Sequence, residues 1–190
     1  MTIESADDPP PAEAEIVVVG AGASGAAAAW KLSRAGLRVV CLEQGGWTLP
    51  GSGPGATDDW EWARLGPWHP NPNLRRAPQD YPILHEGCPI APLMFNGVGG
   101  SQVMWSCHLP RFHPSDFRMA SQDRVGDDWP LGYDDLAPYY DENERMTGVA
   151  GLAGDPAYPP LPPRQTPPSG LGAAGHRVAA AFDRLGWSWW

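Results

Sequence analysis

Between residues 20 and 25 the chain reads Gly20-Ala21-Gly22-Ala23-Ser24-Gly25, a GxGxxG spacing. Three glycines so placed are what a backbone needs to wrap a pyrophosphate. The first permits a tight turn, the second lets the main chain approach the phosphates, and the third lets a helix pack against a strand. A helix starting there turns unsatisfied N–H groups and the positive end of its dipole toward an anion. Ala23 and Ser24 sit in that turn, and Ser24 reads either as a phosphate contact or simply as a small side chain. Eighteen residues past Gly25 stands Glu43, followed by Gln44. A carboxylate there can accept hydrogen bonds from an adenosine ribose, and it repels a 2′-phosphate, which disfavours NADP. The motif by itself leaves FAD and NAD both open.

A second group runs Asn96-Gly97-Val98-Gly99-Gly100-Ser101-Gln102-Val103-Met104-Trp105-Ser106-Cys107-His108-Leu109-Pro110-Arg111-Phe112. Paired glycines before a small polar residue offer backbone N–H groups to an anion or a ring edge. An ordinary turn between two strands carries the same pattern. His108 and His113 are separated by four residues, with Pro110 between them and Pro114 directly after, which suits no helical ligand pair, and no metal site is expected. The pairs Asp127-Asp128 and Asp134-Asp135 read as turn and helix-start acids, not as catalytic carboxylates. His69, His85 and His176 stand alone and read as surface or satisfied residues.

The elements that must position these residues follow from periodicity. Ile16-Val17-Val18-Val19 is a β-branched run suited to a strand buried on both faces. Residues 26–35 are Ala-rich and helical, closed by Gly36. Residues 37–42 form a second buried strand ending at Glu43. The fold class is therefore α/β: a Rossmann-like β-α-β unit with parallel strands, incomplete as a sheet. From 45 to about 92 periodicity disappears among Trp47, Trp60, Trp62 and Trp68, with one helical turn expected near 58–65. Residues 134–146 read as a helix capped by Asp134 or Asp135, with Pro138 in an early turn. Seven prolines between 154 and 170 mark a linker or extended loop, and 171–185 is an amphipathic helix. The organisation expected is a disordered acidic tail (1–14), the N-terminal part of a cofactor-binding domain (15–151), then a Pro-rich linker and the start of the next segment (152–190).

The chain has 190 residues and net charge −9. The negative charge concentrates in the first 15 residues and in 127–145, and no basic stripe exists, which argues against nucleic acid. No run approaches the ~20 apolar residues of a membrane span. Three cysteines, none in a CxxC, suit free thiols in a reducing compartment, and the acidic Pro-rich start is unlike a signal peptide; a cytoplasmic protein is expected.

Taken together, the β-α-β unit, the Gly-Gly pair with Trp105 and Ser106-Cys107 after it, the Pro110-Arg111-Phe112 ending and the later Asp128-Trp129-Pro130-Leu131-Gly132-Tyr133 segment resemble the glucose-methanol-choline (GMC) oxidoreductase family. Within it the resemblance is nearest to pyranose 2-oxidase and the large subunits of gluconate-type dehydrogenases. The resemblance implies FAD, with Gly99, Gly100 and Ser101 near the pyrophosphate and flavin ring, and a middle loop that covers the flavin. It places Met104, Trp105 and Ser106 beside the ring, with the Ser106 hydroxyl near the reactive flavin nitrogen. Some relatives carry a flavin-linking His where Met104 stands, so FAD is expected to be held without a covalent bond. The function implied is oxidation of a CH–OH group of a small alcohol or sugar by hydride transfer to flavin. The family's catalytic base lies in the C-terminal third, beyond residue 190, so the chain reads as an N-terminal piece with its base unassigned. A C-terminal portion or an oligomer partner would supply the rest. The alternatives are a non-catalytic FAD-binding fragment, or another flavin- or NAD-dependent dehydrogenase sharing only the β-α-β unit.

Overall fold

The computed structural model describes residues 13–48, 58, 62, 65–91, 93–105, 107–164 and 166–189. Most of the acidic tail, much of the turn expected at 58–65, and Trp60, Ser106 and Trp190 lie outside the described residues. The chain forms two compact units, one ending at residue 107 and the other beginning at 108.

The first unit is built on β1 (Ile16–Val19), α1 (Ala23–Arg34) and β2 (Val39–Leu42). The strands pair in parallel with Ile16 opposite Val39 and Val19 opposite Leu42. Parallel neighbours demand a crossover, and α1 supplies it while packing on both strands. Its alanines give high helix propensity, and Lys31 and Arg34 in the last turn complement the dipole. The helix begins at Ala23, three residues before the expected 26, because extended Gly22 caps it and the Ala26 N–H reaches the Gly22 carbonyl at 2.9 Å. The second strand starts at Val39, not 37, because the Leu37 N–H is spent on the Leu32 carbonyl (3.2 Å) in closing the helix.

The expectation that both strands are buried on two faces does not hold. Exposure alternates along β1, with Val17 57% and Val19 84% exposed. A two-stranded sheet covered by α1 shields one face of the pleat, and the alternate side chains remain in contact with solvent.

The irregular stretch after β2 contains an ordered body. Its centre is α2 (Pro72–Arg75), a single turn whose cap Asn71 accepts the Asn73 N–H at 2.9 Å. The buried Arg75 guanidinium bonds both oxygens of Asp80 and the carbonyls of His69 and Met94. Phe95 stacks on Trp68 with ring centres 5.6 Å apart, and the Arg75 guanidinium lies over the Phe95 ring. His69 is satisfied through Nδ1, which accepts the Asn71 N–H.

The second unit carries a 3-10 turn at Pro114–Arg118 running into α3 (Met119–Asp123), then α4 (Tyr133–Thr147) and α5 (Ala173–Leu185). The cap of α4 is Gly132, not Asp134 or Asp135. Asp135 instead reaches back from the first turn and accepts the Gly132 N–H at 2.8 Å. Pro138 lies inside the helix, where it withholds one backbone donor. Phe117 and Tyr133 are the large buried apolar side chains. Beside them Arg111, also buried, bonds both oxygens of Glu144, an oxygen of Asp141 and the Tyr133 hydroxyl. Arg164, from the Pro-rich stretch, joins the same Glu144. That stretch is further held by the Tyr158 hydroxyl donating to the Arg111 carbonyl and by the Tyr158 ring stacked on His113. Among the described residues no helix is long and apolar enough to cross a membrane.

Candidate cofactor-binding site

The turn from β1 into α1 is held by close backbone approach. A Cβ on Gly25 would sit 1.9 Å from the Gly20 carbonyl oxygen, so only glycine lets α1 lie this near the strand end. Gly20 itself closes the sheet by donating to the Leu42 carbonyl at 2.7 Å. Gly22 is different. Its backbone is ordinary (φ −71°), and a Cβ there would meet nothing within 4 Å. The glycine at this position keeps space open without relieving any contact inside the chain. Ala23 and Ser24 follow as the first, solvent-facing residues of α1, whose first turn carries no acidic side chain. The leading N–H groups of a helix lack internal acceptors, so this end presents donors and a positive dipole end to the open side of Gly22.

The second glycine group lies against the first. Gly99 forms a parallel bridge with Gly22 and donates to the Ala21 carbonyl at 2.8 Å. Gly99 takes φ +99°, a left-handed conformation that favours glycine. A Cβ on Gly100 would stand 3.0 Å from the Gly22 Cα. The turn continues as a 3-10 segment, Gly100–Met104. Ser101 Oγ accepts the Phe95 N–H at 3.3 Å, Met104 ends the segment, and Trp105 follows it, partly exposed. Ser106 lies outside the described residues.

Glu43 sits just past β2 and faces the first turn. Its Oε2 accepts the Ala21 N–H at 2.7 Å and its Oε1 accepts the Gly45 N–H at 3.0 Å. Partial burial raises its pKa, but the N–H groups of Gly45, Ala21 and Gln44 outweigh that and hold it below its ordinary value. The Gln44 side chain turns away and donates to the Gln79 carbonyl at 3.0 Å.

The arrangement therefore brings Gly20, Gly22, Gly25, Glu43, Gly99 and Gly100 together, with Ser101 to Trp105 leading away from them. Sequence reasoning named Asn96 only as the start of the second glycine group and missed the Arg75–Asp80 pair it bonds to. Asn96 Nδ2 donates to Asp80 and to the Gln79 carbonyl, which ties the start of the second glycine group to the ordered body around α2. The Asn71-Pro72 helix start was the available signal for that body; the partnership of Arg75 with Asp80 had none. A cleft of about 290 Å3 beside this junction is lined by Gly46, Trp47, Trp68, Phe95 and Asn96 among others. Among the described residues no three metal-binding side chains cluster.

The geometry fits a dinucleotide. Space is kept at Gly22, helix N–H groups face it, and a carboxylate stands at the end of β2. Residues 18–77 match the family model described as an NAD(P)-binding Rossmann-like domain. Across 181 residues, 94% of its length, the chain is 39% identical to 2-methyl-1,2-propanediol dehydrogenase of Mycolicibacterium austroafricanum, covering 32% of that protein. It is 32% identical over 171 residues to the fructose dehydrogenase large subunit of Gluconobacter japonicus, covering 81% of this chain and 30% of that one. To an uncharacterized GMC-type oxidoreductase of Mycobacterium tuberculosis it is 32% identical over 189 residues, 97% of this chain and 25% of the relative. The chain thus spans about a third of the length of the curated relatives it matches. The Rossmann-type glycine turn, the second glycine group docked on it and relatives that match nearly the whole chain agree: the chain belongs to the GMC-type oxidoreductase family.

Proposed function

We propose that this chain is the FAD-binding portion of an oxidoreductase that oxidises the CH–OH group of a small alcohol or sugar. The observation that carries the reading is the docking of Gly99-Gly100 on Gly22. A single glycine turn serves NAD and FAD alike, whereas here a second glycine turn, its Gly99 and Gly100 N–H groups bonded within the chain, brings another stretch of close-approaching backbone alongside the first. The named relatives, a diol dehydrogenase and a fructose dehydrogenase subunit, support the substrate class. Bound FAD would supply a hydride acceptor for the carbinol carbon.

The chain's own residues have the following roles in this reading. The amides at the start of α1, including those of Ala23 and Ser24, hold the pyrophosphate. Gly22 leaves the room for it. Glu43, kept ionised, has lone pairs left for the adenosine ribose hydroxyls. Ser101 to Trp105 run along the ring, and Met104 offers no histidyl attachment, so FAD is held without a covalent bond. The base that takes the hydroxyl proton lies outside these residues. The three exposed free cysteines suit a reducing, cytoplasmic setting.

The test is reconstitution of the purified chain with FAD, FMN and NAD separately, followed by gel filtration and acid precipitation. FAD alone should co-elute, and all flavin should appear in the acid supernatant. Retention of NAD in preference to FAD would overturn the cofactor assignment. Flavin pelleting with the protein would overturn the non-covalent one.

A further inference from the structure

The two glycine groups are joined by more than their mutual contact. Starting at Ala21, the N–H goes to Glu43 Oε2, and Glu43 Oε1 takes the Gly45 N–H. The next residue, Gly46, accepts the Val98 N–H at 3.1 Å, and the residue after Val98, Gly99, returns its N–H to the Ala21 carbonyl. The loop of bonds closes on the residue where it began. Gly45 makes the junction tight, since a Cβ there would fall 2.4 Å from the Asn96 carbonyl carbon. Every link is main chain except one, the Glu43 carboxylate.

We infer that Glu43 is a positioning residue that locks the first glycine turn to the second, in addition to any contact it makes with a ribose. The inference deepens the FAD reading and rests on it for its purpose: the ring sets the relative placement of the two glycine groups before the cofactor arrives. The chemistry explains why the acid is Glu. Two N–H donors converge on one side chain, so it must accept through both heads. Gln accepts through one and sets an N–H2 donor against the other N–H, and Asp is a methylene too short to span the gap. Holding both donors also keeps the carboxyl ionised, since protonation would convert one acceptor into a donor.

The test is amide hydrogen exchange on the full 190-residue chain, wild type and Glu43→Gln, without cofactor. Exchange at Ala21 and Gly45 should accelerate. Crucially, Val98 and Gly99, which never touch Glu43, should accelerate about tenfold or more, while Gly20 and the β1–β2 ladder stay protected. Acceleration confined to Ala21 and Gly45, or none, would overturn the inference. If the variant loses the ladder as well, the wild type decides: lowering pH through the Glu43 titration should move the Ala21, Gly45, Val98 and Gly99 amide resonances with one common midpoint. Val98 and Gly99 that ignore that midpoint would overturn it. FAD titration of the same wild-type sample separates the two claims. Absence of FAD binding counts against the cofactor reading alone, and the exchange pattern alone judges the lock.

Discussion

The two units of this chain are stabilised by different chemistry. In the first, around the glycine turns, the long-range ties other than the Glu43 carboxylate are main chain to main chain: Gly20 to Leu42, Gly99 to Ala21, Val98 to Gly46. Glycines let these backbones approach, and apolar side chains on β1 remain exposed. In the second, side chains do the tying. Arg111 and Glu144 are both buried, Arg164 and Asp141 complete their network, and Phe117 and Tyr133 pack beside them. A region that ties itself together through backbone at glycines leaves room for a ligand against that backbone. The proposed cofactor site lies in the first unit, and the second is a framework tied by buried side chains.

The largest expected effect attacks the framework. Glu144→Ala leaves the buried Arg111 with only Asp141 and Tyr133, and removing one partner of a buried pair costs about 3–5 kcal/mol. Denaturant unfolding checks it, and the second unit's α4 and Pro-rich stretch should lose exchange protection first. Gly25→Ala is the counterpart in the first unit. Its Cβ would overlap the Gly20 carbonyl oxygen, so the turn must open at a cost of about 3 kcal/mol, read by the same unfolding experiment.

A pH experiment sharpens the comparison. Burial raises the Asp80 pKa, but its bonds to Arg75, Ala77 and Asn96 outweigh that and hold it below its ordinary value of 3.8. A carboxyl depressed in the folded state contributes stability that is complete above the unfolded pKa and is lost as pH falls through the folded one. Stability of the first unit should therefore decline as pH drops below about 4, and Asp80→Asn should flatten that decline while lowering stability at neutral pH. An unchanged acid slope in the variant would remove Asp80 from the account. The smallest effect belongs to Asp135, which accepts the Gly132 N–H at the start of α4. Asp135→Ala should cost about 0.5–1 kcal/mol in unfolding free energy.

How legible all this was depended on the range of the interaction. The β-α-β unit was readable because its signals are local: a β-branched run, alanines, and glycines at fixed spacing. Its boundaries moved by two or three residues where a single backbone bond, Ala26 to Gly22 or Leu37 to Leu32, decided them. The exposure of Val17 and Val19 was misread because an apolar run reports what a strand is suited to, not what covers it. Arg111 and Glu144 are 33 residues apart in sequence, and no spacing rule links them. Glu43 was singled out for a ribose, yet its bonds to Ala21 and Gly45 depend on how β2 ends beside the first turn, which only the fold reveals.

The central claim, that the space at Gly22 exists for a cofactor, has a direct test. Gly22 has an ordinary φ of −71°, and a Cβ there meets nothing within 4 Å, so Gly22→Val starts its side chain in the open space without forcing the backbone. Unfolding and FAD titration should be measured side by side on wild type and variant. The account predicts a stability loss of about 1 kcal/mol, the cost of a poorer cap on α1, together with FAD affinity weakened at least about tenfold in the folded protein. A Gly22→Val chain that binds FAD as tightly as the wild type would contradict it.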